Sequence, residues 1–331
     1  MKAHTRHVLR GALLVVAVLL LARFARSVDW RETWHALRSA SVPLLVVATA
    51  ANLASLLVRG ARWALFLRGA GVHDLPLALR GAVVGSGLNN VLPASGGEAA
   101  RVLMIARQAG VARSRVAASV VLDRGVDAVT FLALLALAPH VVPLPGLLQR
   151  WGRTAGVILA VLLVVLVPLL VRASRRRMVP GPLARESAPE AIPEGAPLMA
   201  RVRATLAQFG RSLGEIAGLR RLAPGFAISL ASWSLQLATY HLIARAAGLP
   251  ASPVASGAAM LAVNVAFFFP VTPGNVGVFQ VIYALVMSAF GLPQGRAVAV
   301  ALMIQAVQVL PVTALALALA PQWATRQREA A

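Results

Sequence analysis

Long apolar stretches alternate with short polar ones along the whole chain. Several of the apolar stretches run for about 20 residues, which is enough for a helix to cross the hydrocarbon core of a bilayer. The pattern predicts an all-α, polytopic membrane protein with about six full transmembrane helices. The apolar segments fall near residues 8–24, 42–60, 78–93, 98–109, 116–138, 155–171, 223–246, 254–270, 276–290 and 297–320.

A short motif interrupts the apolar pattern twice. Pro93–Glu98 reads P-x-S-G-G-E, and Pro270–Asn275 reads P-x-T-P-G-N. Each copy places helix breakers at a depth where backbone exposed to lipid is not tolerated. The short apolar runs beside them favour re-entrant helical hairpins over residues 78–109 and 254–290. Two matched breaks in two halves of a chain are typical of a transporter site at a repeat interface.

The distribution of arginine predicts the orientation in the membrane. Residues 172–221 are rich in arginine and are therefore expected in the cytoplasm. The two hairpins then enter from opposite faces, as in an inverted repeat, and both termini lie in the cytoplasm of a multi-pass protein of the cell (inner) membrane. Residues 23–41 fall outside in this topology, although they carry Arg23, Arg26, Arg31 and Arg38.

The same pattern predicts the domain organisation, a single membrane domain over residues 1–331. A first half (about 1–172) and a second half (about 222–331) flank a cytoplasmic linker with an amphipathic helix (about 173–221). That helix lies either on the inner membrane face or against another cytoplasmic element. The first apolar run is followed by Arg23 and Arg26, which favours a retained anchor over a cleaved signal peptide.

Composition narrows the class of protein. The chain has 331 residues, of which 59% are hydrophobic and 13% charged, and this excludes an ordinary soluble domain. The net charge of +21 comes from arginines placed mostly between apolar runs, which indicates anionic lipid headgroups and no nucleic-acid partner. The chain has no cysteine, and its histidines lack metal-ligand spacing. We therefore expect no cofactor, no metal and no enzymatic activity.

The two breaks supply the first group of candidate substrate-binding residues. A glycine-rich break starts a new helix inside the membrane, and free N–H groups at a helix start attract anions. The alternative is that both breaks are kinks packed between helices. The candidates are Asn90, Ser95, Gly96, Gly97, Glu98 and Arg101 around the first break and Thr272, Pro273, Gly274, Asn275 and Gln280 around the second.

Charged residues inside an apolar run supply a second group. Asp123 and Asp127 share one helix face, and Arg124 has the spacing to pair with Asp127. Charges at such depth are usually functional or paired. The alternatives are a gate for an anionic substrate and a structural ion-pair cluster that locks this helix to the Glu98/Arg101 helix. A weaker third reading, based on the two aspartates alone, is an intramembrane enzyme.

Arg59 and Arg62 lie one turn apart, beside Trp63, near the expected cytoplasmic end of the second membrane helix. These arginines either bind lipid phosphate or extend to the headgroups next to an aromatic anchor.

These residues together resemble the flippase-like family defined by the membrane region of lysylphosphatidylglycerol synthases. The similarity covers roughly residues 10–320, and the chain departs from the family pattern at Gln280, where Glu is common, and at Asn275, where Gly is common. It rests on Arg59-x-x-Arg62-Trp63, on Asn90-x-x-Pro93-x-x-Gly96-Gly97-Glu98-x-x-Arg101, on Arg124-x-x-Asp127 and on Pro270-x-Thr272-Pro273-Gly274-x-x-Gly277-Val278-Phe279.

The resemblance implies a flippase-like protein that translocates an anionic or modified lipid, either a phospholipid or a polyprenyl-linked lipid, between leaflets. Because the chain ends at Ala331, we expect no aminoacyl-transferase domain and hence no lipid aminoacylation. The alternative is a non-transporting scaffold for a lipid-modifying enzyme or a glycosyltransferase of the cell envelope. Membrane lipids, and such an enzyme, are the expected partners.

Overall fold

A computed structural model describes residues 23–91, 96–141, 146, 149–150, 152–161, 219–266 and 275–319. Within these ranges the fold is all-α and contains no strand, as the sequence predicts. The helices are α1 (Trp30–Arg38), α2 (Val42–Gly69), α3 (Leu75–Val91), α4 (Gly96–Gln108), α5 (Arg113–Val141), α6 (Gly152–Val161), α7 (Leu219–Ala246), α8 (Pro253–Ala266), α9 (Val278–Ala289) and α10 (Gln294–Leu319).

Two described helices, α2 and α10, are long and apolar enough to cross a membrane. Most of the apolar part of each helix is not buried inside the protein. Exposed leucines and valines such as Val46, Leu57, Leu310 and Leu317 cover these helices. Exposed large apolar side chains along a long helix suit contact with lipid. The described helices therefore fit a helical membrane protein, while the expected number of about six spans stays a prediction.

Both expected hairpins are present as packed helix pairs. Helix α3 packs against α4, and α8 packs against α9. Whether they are re-entrant stays a prediction. The connections of both hairpins, residues 92–95 and 267–274, lie outside the described residues, and so does nearly all of the expected linker at 173–221. Four candidate site residues therefore have no structural description here: Ser95, Thr272, Pro273 and Gly274.

The chain forms two compact units, each of which contains one hairpin. The α3–α4 unit contains the described residues of 56–136, 154–232 and 315–331, and the α8–α9 unit contains the described residues of 1–55, 137–153 and 233–314. These units draw on both halves of the sequence, because the boundaries fall within α2 and α7. The expected division near residues 172 and 222 is a different partition of the chain and stays a prediction.

Glycines let α3 and α4 approach each other closely. A Cβ atom on Gly97 would overlap the carbonyl oxygen of Gly85, and one on Gly85 would lie 2.9 Å from Cδ of Arg101. A Cβ atom on Gly81 would lie 3.1 Å from the ring of Trp63. Gly81 and Gly85 lie one turn apart, and small residues at this spacing are typical of tightly packed membrane helices. The glycines of this hairpin therefore set the position of the side chains beside them.

In the α8–α9 unit, the first residues of both candidate spans lie near the end of α7. The amide of Ser41, just before α2, donates a hydrogen bond to the carbonyl of Ala246 at the end of α7 (2.9 Å). Helix α1 precedes α2 and contacts the first turn of α10, where the Thr33 hydroxyl donates to the carbonyl of Gly295 (2.9 Å). The starts of α2 and α10 and the end of α7 thus lie at one end of this unit.

Candidate functional site

Arg62 is the centre of a polar cluster in the α3–α4 unit. Its side chain is only 1% exposed. Its Nε donates to Oδ1 of Asp123 (2.8 Å), and its Nη1 donates to Oδ1 of Asp127 (2.7 Å) and to the Ser229 hydroxyl (2.7 Å). The two carboxylates share one face of α5, as the sequence predicts. Charge-assisted bonds of this kind are strong, so Arg62 joins α2, α5 and α7.

The expected pairing of Arg124 with Asp127 is wrong. Arg124 forms an ion pair with Glu98 of α4, and its side chain remains 49% exposed. Successive residues on a helix point about 100° apart, so Arg124 lies off the face that Asp123 and Asp127 present to Arg62. The Arg124–Glu98 pair joins α5 to α4, which is the contact expected of a structural ion-pair cluster.

The interpretation of Arg62 and Trp63 as residues at the headgroup boundary is also wrong. Trp63 is fully buried, and its indole N–H donates to the Ser119 hydroxyl (3.1 Å). Ile105 and Val116 belong to the same buried apolar cluster. An arginine followed by a tryptophan has the same pattern at a membrane interface and in a protein interior, so local sequence does not separate the two environments.

Arg101 is a buried cation, and two of its nitrogen atoms have unused hydrogen-bonding capacity. The residue is 6% exposed, and its Cζ lies 4.5 Å from the centroid of the Trp63 ring. Its Nε and Nη2 have no hydrogen-bond partner among the described residues. Nε of Arg59 is buried in the same way. Buried polar groups without partners are costly, so a hydrogen-bond acceptor placed against these donors would lower the free energy.

The charges of this cluster do not balance. It combines four arginines with three carboxylates, and two of the carboxylates are bound to Arg62 and the third to Arg124. Arg59 and Arg101 are therefore left without an ion-pair partner among the described residues. One net positive charge remains in a largely buried environment, where electrostatic attraction for an anion is strong. The members are Arg59, Arg62, Arg101, Arg124, Glu98, Asp123 and Asp127.

At the first break, an N–H group at the start of α4 already has a hydrogen-bond partner on α3. The amide of Gly97 donates to Oδ1 of Asn89 on α3 (2.9 Å), so this N–H group is occupied. Gly96 is partly buried at the first position of α4, and Asn90 is exposed at the end of α3. Among the candidates on α4, the side chain of Arg101 therefore offers the free donors, and the Gly97 amide does not.

The described part of the second break forms an uncharged network in the α8–α9 unit. Gln280 is buried and accepts a hydrogen bond from the amide of Gly277 (2.7 Å). Its Nε2 donates to Oε1 of Gln305 on α10 (2.6 Å). Asn275 is buried with a φ of 52°, and its Oδ1 has no partner among the described residues. Asn275 and Gln280 thus lie in a different unit from the arginine cluster.

Sequence reasoning missed several residues of the arginine cluster. Ser229 bonds both Arg62 and Asp127, and Ser119 fixes the Trp63 indole. The available signal for Ser229 was a second serine, Ser232, at helical spacing within the apolar stretch of α7, because both serines are buried. Asn89 also lies just before the break, but its role as acceptor for the Gly97 amide depends on how α3 and α4 pack.

Comparison with known proteins gives a consistent classification. The family model described as "Lysylphosphatidylglycerol synthase TM region" matches residues 9–316. The chain is 24% identical to a UPF0104 membrane protein of Methanothermobacter thermautotrophicus over an alignment of 333 residues, gaps included. The alignment covers 97% of each protein. It is 26% identical to the glycosyltransferase AglD of Haloferax volcanii over 323 residues, which cover 86% of this chain and 49% of AglD.

Proposed function

Since the chain belongs to the lysylphosphatidylglycerol synthase transmembrane-region family, we propose that it translocates a lipid with an anionic phosphate headgroup between the two leaflets. The observation that carries the proposal is Arg101, a buried guanidinium with two unpartnered nitrogen atoms beside a cluster with surplus positive charge. A membrane protein offers such a group few aqueous acceptors, and the phosphates of lipids are the abundant anions at hand.

The chemistry of the arginine cluster fits a phosphodiester. Such a group carries one negative charge and two free oxygen atoms, and a guanidinium offers parallel N–H groups that match them. Trp63 holds the Arg101 guanidinium over its ring by a cation–π contact, which positions the guanidinium before the lipid arrives. Arg59 supplies a second donor close to the same charges. Arg62 and its aspartates then form the rigid support, because their hydrogen bonds are already satisfied.

The two halves of the chain are proposed to be an inverted repeat with re-entrant hairpins. Each half contains a long helix, a hairpin and another long helix: α2 to α5 in the first and α7 to α10 in the second. The first long helix has 28 residues in both halves. The matching order supports the proposal, since inverted repeats place their substrate site between broken helices near the bilayer midplane.

The helix ends support the same proposal. A glycine with positive φ lies two residues after the end of α2 and of α7, Gly71 (95°) and Gly248 (67°). The amide of the next residue bonds the carbonyl five positions back in both cases, Val72 to Leu67 (3.0 Å) and Leu249 to Ala244 (2.9 Å). Gly110 and Gly291 follow α4 and α9 in the same way. Glycine caps of one type therefore occur at matching positions of the two halves, as an inverted repeat would produce.

Translocation is tested by reconstitution of the purified protein in liposomes that contain a fluorescent NBD-phosphatidylglycerol or an NBD-phosphatidylcholine. Dithionite bleaches the label only in the outer leaflet, so bleaching beyond the outer-leaflet fraction measures movement. We expect Arg101→Gln to slow movement by about tenfold, since loss of a charged hydrogen bond costs roughly 1.5–3 kcal/mol. Arg107→Gln is the matched control, because Arg107 is exposed on the same helix. Equal rates for both variants and the wild type would exclude Arg101 from the pathway.

A specific observation favours the alternative of a scaffold. The chain matches about half the length of a relative named as a glycosyltransferase. In this alternative, the membrane helices of this chain hold a lipid-modifying or glycosyltransferase enzyme at the membrane. The liposome experiment separates the two functions, because a scaffold reconstituted alone leaves both NBD-lipids in their original leaflets. Absence of movement with correctly folded wild-type protein would favour the scaffold over the flippase.

A further inference from the structure

Helix α1 is a short amphipathic helix fixed to the α8–α9 unit by one face. Asp29 caps its start by accepting hydrogen bonds from the amides of Arg31 (2.9 Å) and Glu32 (3.1 Å). Thr33 and Ala36 are buried, and the Thr33 hydroxyl bonds the carbonyl of Gly295. Glu32 also forms an ion pair with Arg296 (3.2 Å). The position and rotation of α1 are therefore set by contacts with the start of α10.

The opposite face of α1 presents aromatic and cationic side chains. Trp30 and Trp34 lie one turn apart and are 54% and 56% exposed. Cζ of Arg38 lies 4.7 Å from the centroid of the Trp34 ring, and Arg31 and His35 are exposed beside them. The polar atom of Trp30 is satisfied internally, because its indole N–H donates to the carbonyl of Ala25 (2.8 Å). Two large rings exposed on a fixed helix indicate an environment other than bulk water.

The position of α1 along the chain identifies that environment. Helix α1 ends at Arg38, and the candidate span α2 begins at Val42. The other candidate span, α10, begins at Gln294, and its second residue contacts Thr33 of α1. A helix attached to the first turns of two membrane spans lies at the level where those spans leave the hydrocarbon. Tryptophan and arginine are the residues enriched at this level.

We infer that α1 is an interfacial helix that binds the lipid headgroup layer. Trp30 and Trp34 insert beside the upper acyl chains, and Arg31 and Arg38 bind the phosphates of anionic lipids. The inference depends only on membrane location and is independent of the proposed translocation. It also accounts for the arginines of residues 23–41, which oppose the expected topology, because lipid phosphates on either side of the membrane satisfy them.

Because the chain has no cysteine, a single introduced cysteine can be labelled selectively. A nitroxide label is attached to a cysteine at position 34 or at position 35, and the protein is reconstituted in vesicles of phosphatidylcholine with phosphatidylglycerol. Electron paramagnetic resonance then compares accessibility to oxygen, which enriches in lipid, with accessibility to a nickel chelate, which stays in water. We expect the oxygen-to-nickel ratio to be several-fold higher for Trp34→Cys than for His35→Cys, since neighbouring residues point about 100° apart.

Two results of this comparison overturn the inference. Equal and high nickel accessibility at both positions would place α1 in water. Low accessibility of both positions to oxygen and to nickel would mean that a second copy or another protein covers this surface. Both substitutions replace exposed side chains, so the packing of Thr33 and Ala36 is retained.

The role of the arginines is tested in the protein labelled at position 34. Adding phosphatidylglycerol to phosphatidylcholine vesicles should immobilise the label and raise its oxygen-to-nickel ratio. The double substitution Arg31→Gln/Arg38→Gln should reduce this response to anionic lipid several-fold, because both arginines of α1 are then removed. Arg296→Gln is the matched control, since Arg296 lies near α1 but pairs with Glu32. A response to phosphatidylglycerol that is unchanged in the double variant would exclude both arginines as the phosphate ligands.

Discussion

The two hairpins differ in which group accepts a hydrogen bond from the backbone amide at the start of their second helix. In the α3–α4 hairpin, the amide of Gly97 bonds Asn89 of the partner helix, and Glu98 in the same turn pairs with Arg124. In the α8–α9 hairpin, the amide of Gly277 bonds Gln280 of its own helix, which passes a hydrogen bond to Gln305. The first N–H groups of any helix need such partners. In the α3–α4 unit this partner lies beside charged side chains, whereas in the α8–α9 unit the partners are amide side chains alone.

This difference separates two roles. A neutral amide network is satisfied by itself and binds helices together without attracting ions. A charged network inside a membrane protein requires compensating charge, and the arginine cluster provides one guanidinium more than its carboxylates can neutralise. Since buried charge without compensation is expensive, the α3–α4 unit is the described part of the molecule in which we expect an anion to lower the free energy. The α8–α9 unit has no such imbalance among its described buried residues near Gln280.

The largest effect is expected from Arg62→Ala. The substitution leaves Asp123 and Asp127 buried without their cation, and breaking a buried ion pair costs about 3–5 kcal/mol. Unfolding in mixed detergent micelles with increasing dodecyl sulfate measures the change in free energy. Adding Asp123→Asn and Asp127→Asn to Arg62→Ala should restore much of the folded yield, because the stranded charges are then removed. Failure of these additions to restore any yield would show that the packing of Arg62, and not its charge, dominates.

A smaller but still large effect is expected from Gly97→Ala. A Cβ atom at this position overlaps the carbonyl oxygen of Gly85, so α3 and α4 must separate. Overpacking of this kind costs about 1–3 kcal/mol. Gly125→Ala is the control, because no atom lies within 4 Å of a Cβ atom there and the substitution favours the helix. If both variants unfold at the wild-type detergent concentration, close contact between α3 and α4 does not hold this hairpin.

Substitutions in the uncharged network around Gln280 are expected to change the free energy of unfolding less. Gln280→Leu leaves the amide of Gly277 and Oε1 of Gln305 without Gln280, and a buried group left unsatisfied costs about 1–3 kcal/mol. The interaction between Gln280 and Gln305 is measured by a double-mutant cycle with Gln305→Leu in the same detergent titration. We expect a coupling of about 1 kcal/mol, since an amide hydrogen bond contributes that much net. A coupling as large as that between Arg62 and Asp123 would remove the contrast between the two units.

Part of this picture followed from sequence periodicity, and the rest depended on tertiary contacts. The shared face of Asp123 and Asp127 was predictable, because helix spacing alone determines it. Their partner was not, because Arg62 lies 61 residues from Asp123 and local spacing favoured Arg124. The packing of α3 against α4 and of α8 against α9 was predictable from the breaks, since apolar runs that end at such breaks fold back or leave the membrane. The burial of Trp63 was not, because its neighbours on α4 and α5 are distant in sequence.

The smallest effect is expected from the partly exposed ion pair between Arg124 and Glu98. The Arg124 side chain is 49% exposed and that of Glu98 is 25% exposed, and exposed ion pairs contribute about 0.2–1 kcal/mol. Arg124→Gln, Glu98→Gln and the double variant form a cycle whose coupling should fall within that range in dodecyl sulfate titrations. The coupling should weaken further as salt is added, since ions screen exposed charges and leave the buried Arg62 contacts unaffected. A coupling above 2 kcal/mol (roughly twice the usual upper value) would mean that Arg124 belongs to the buried support of the cluster.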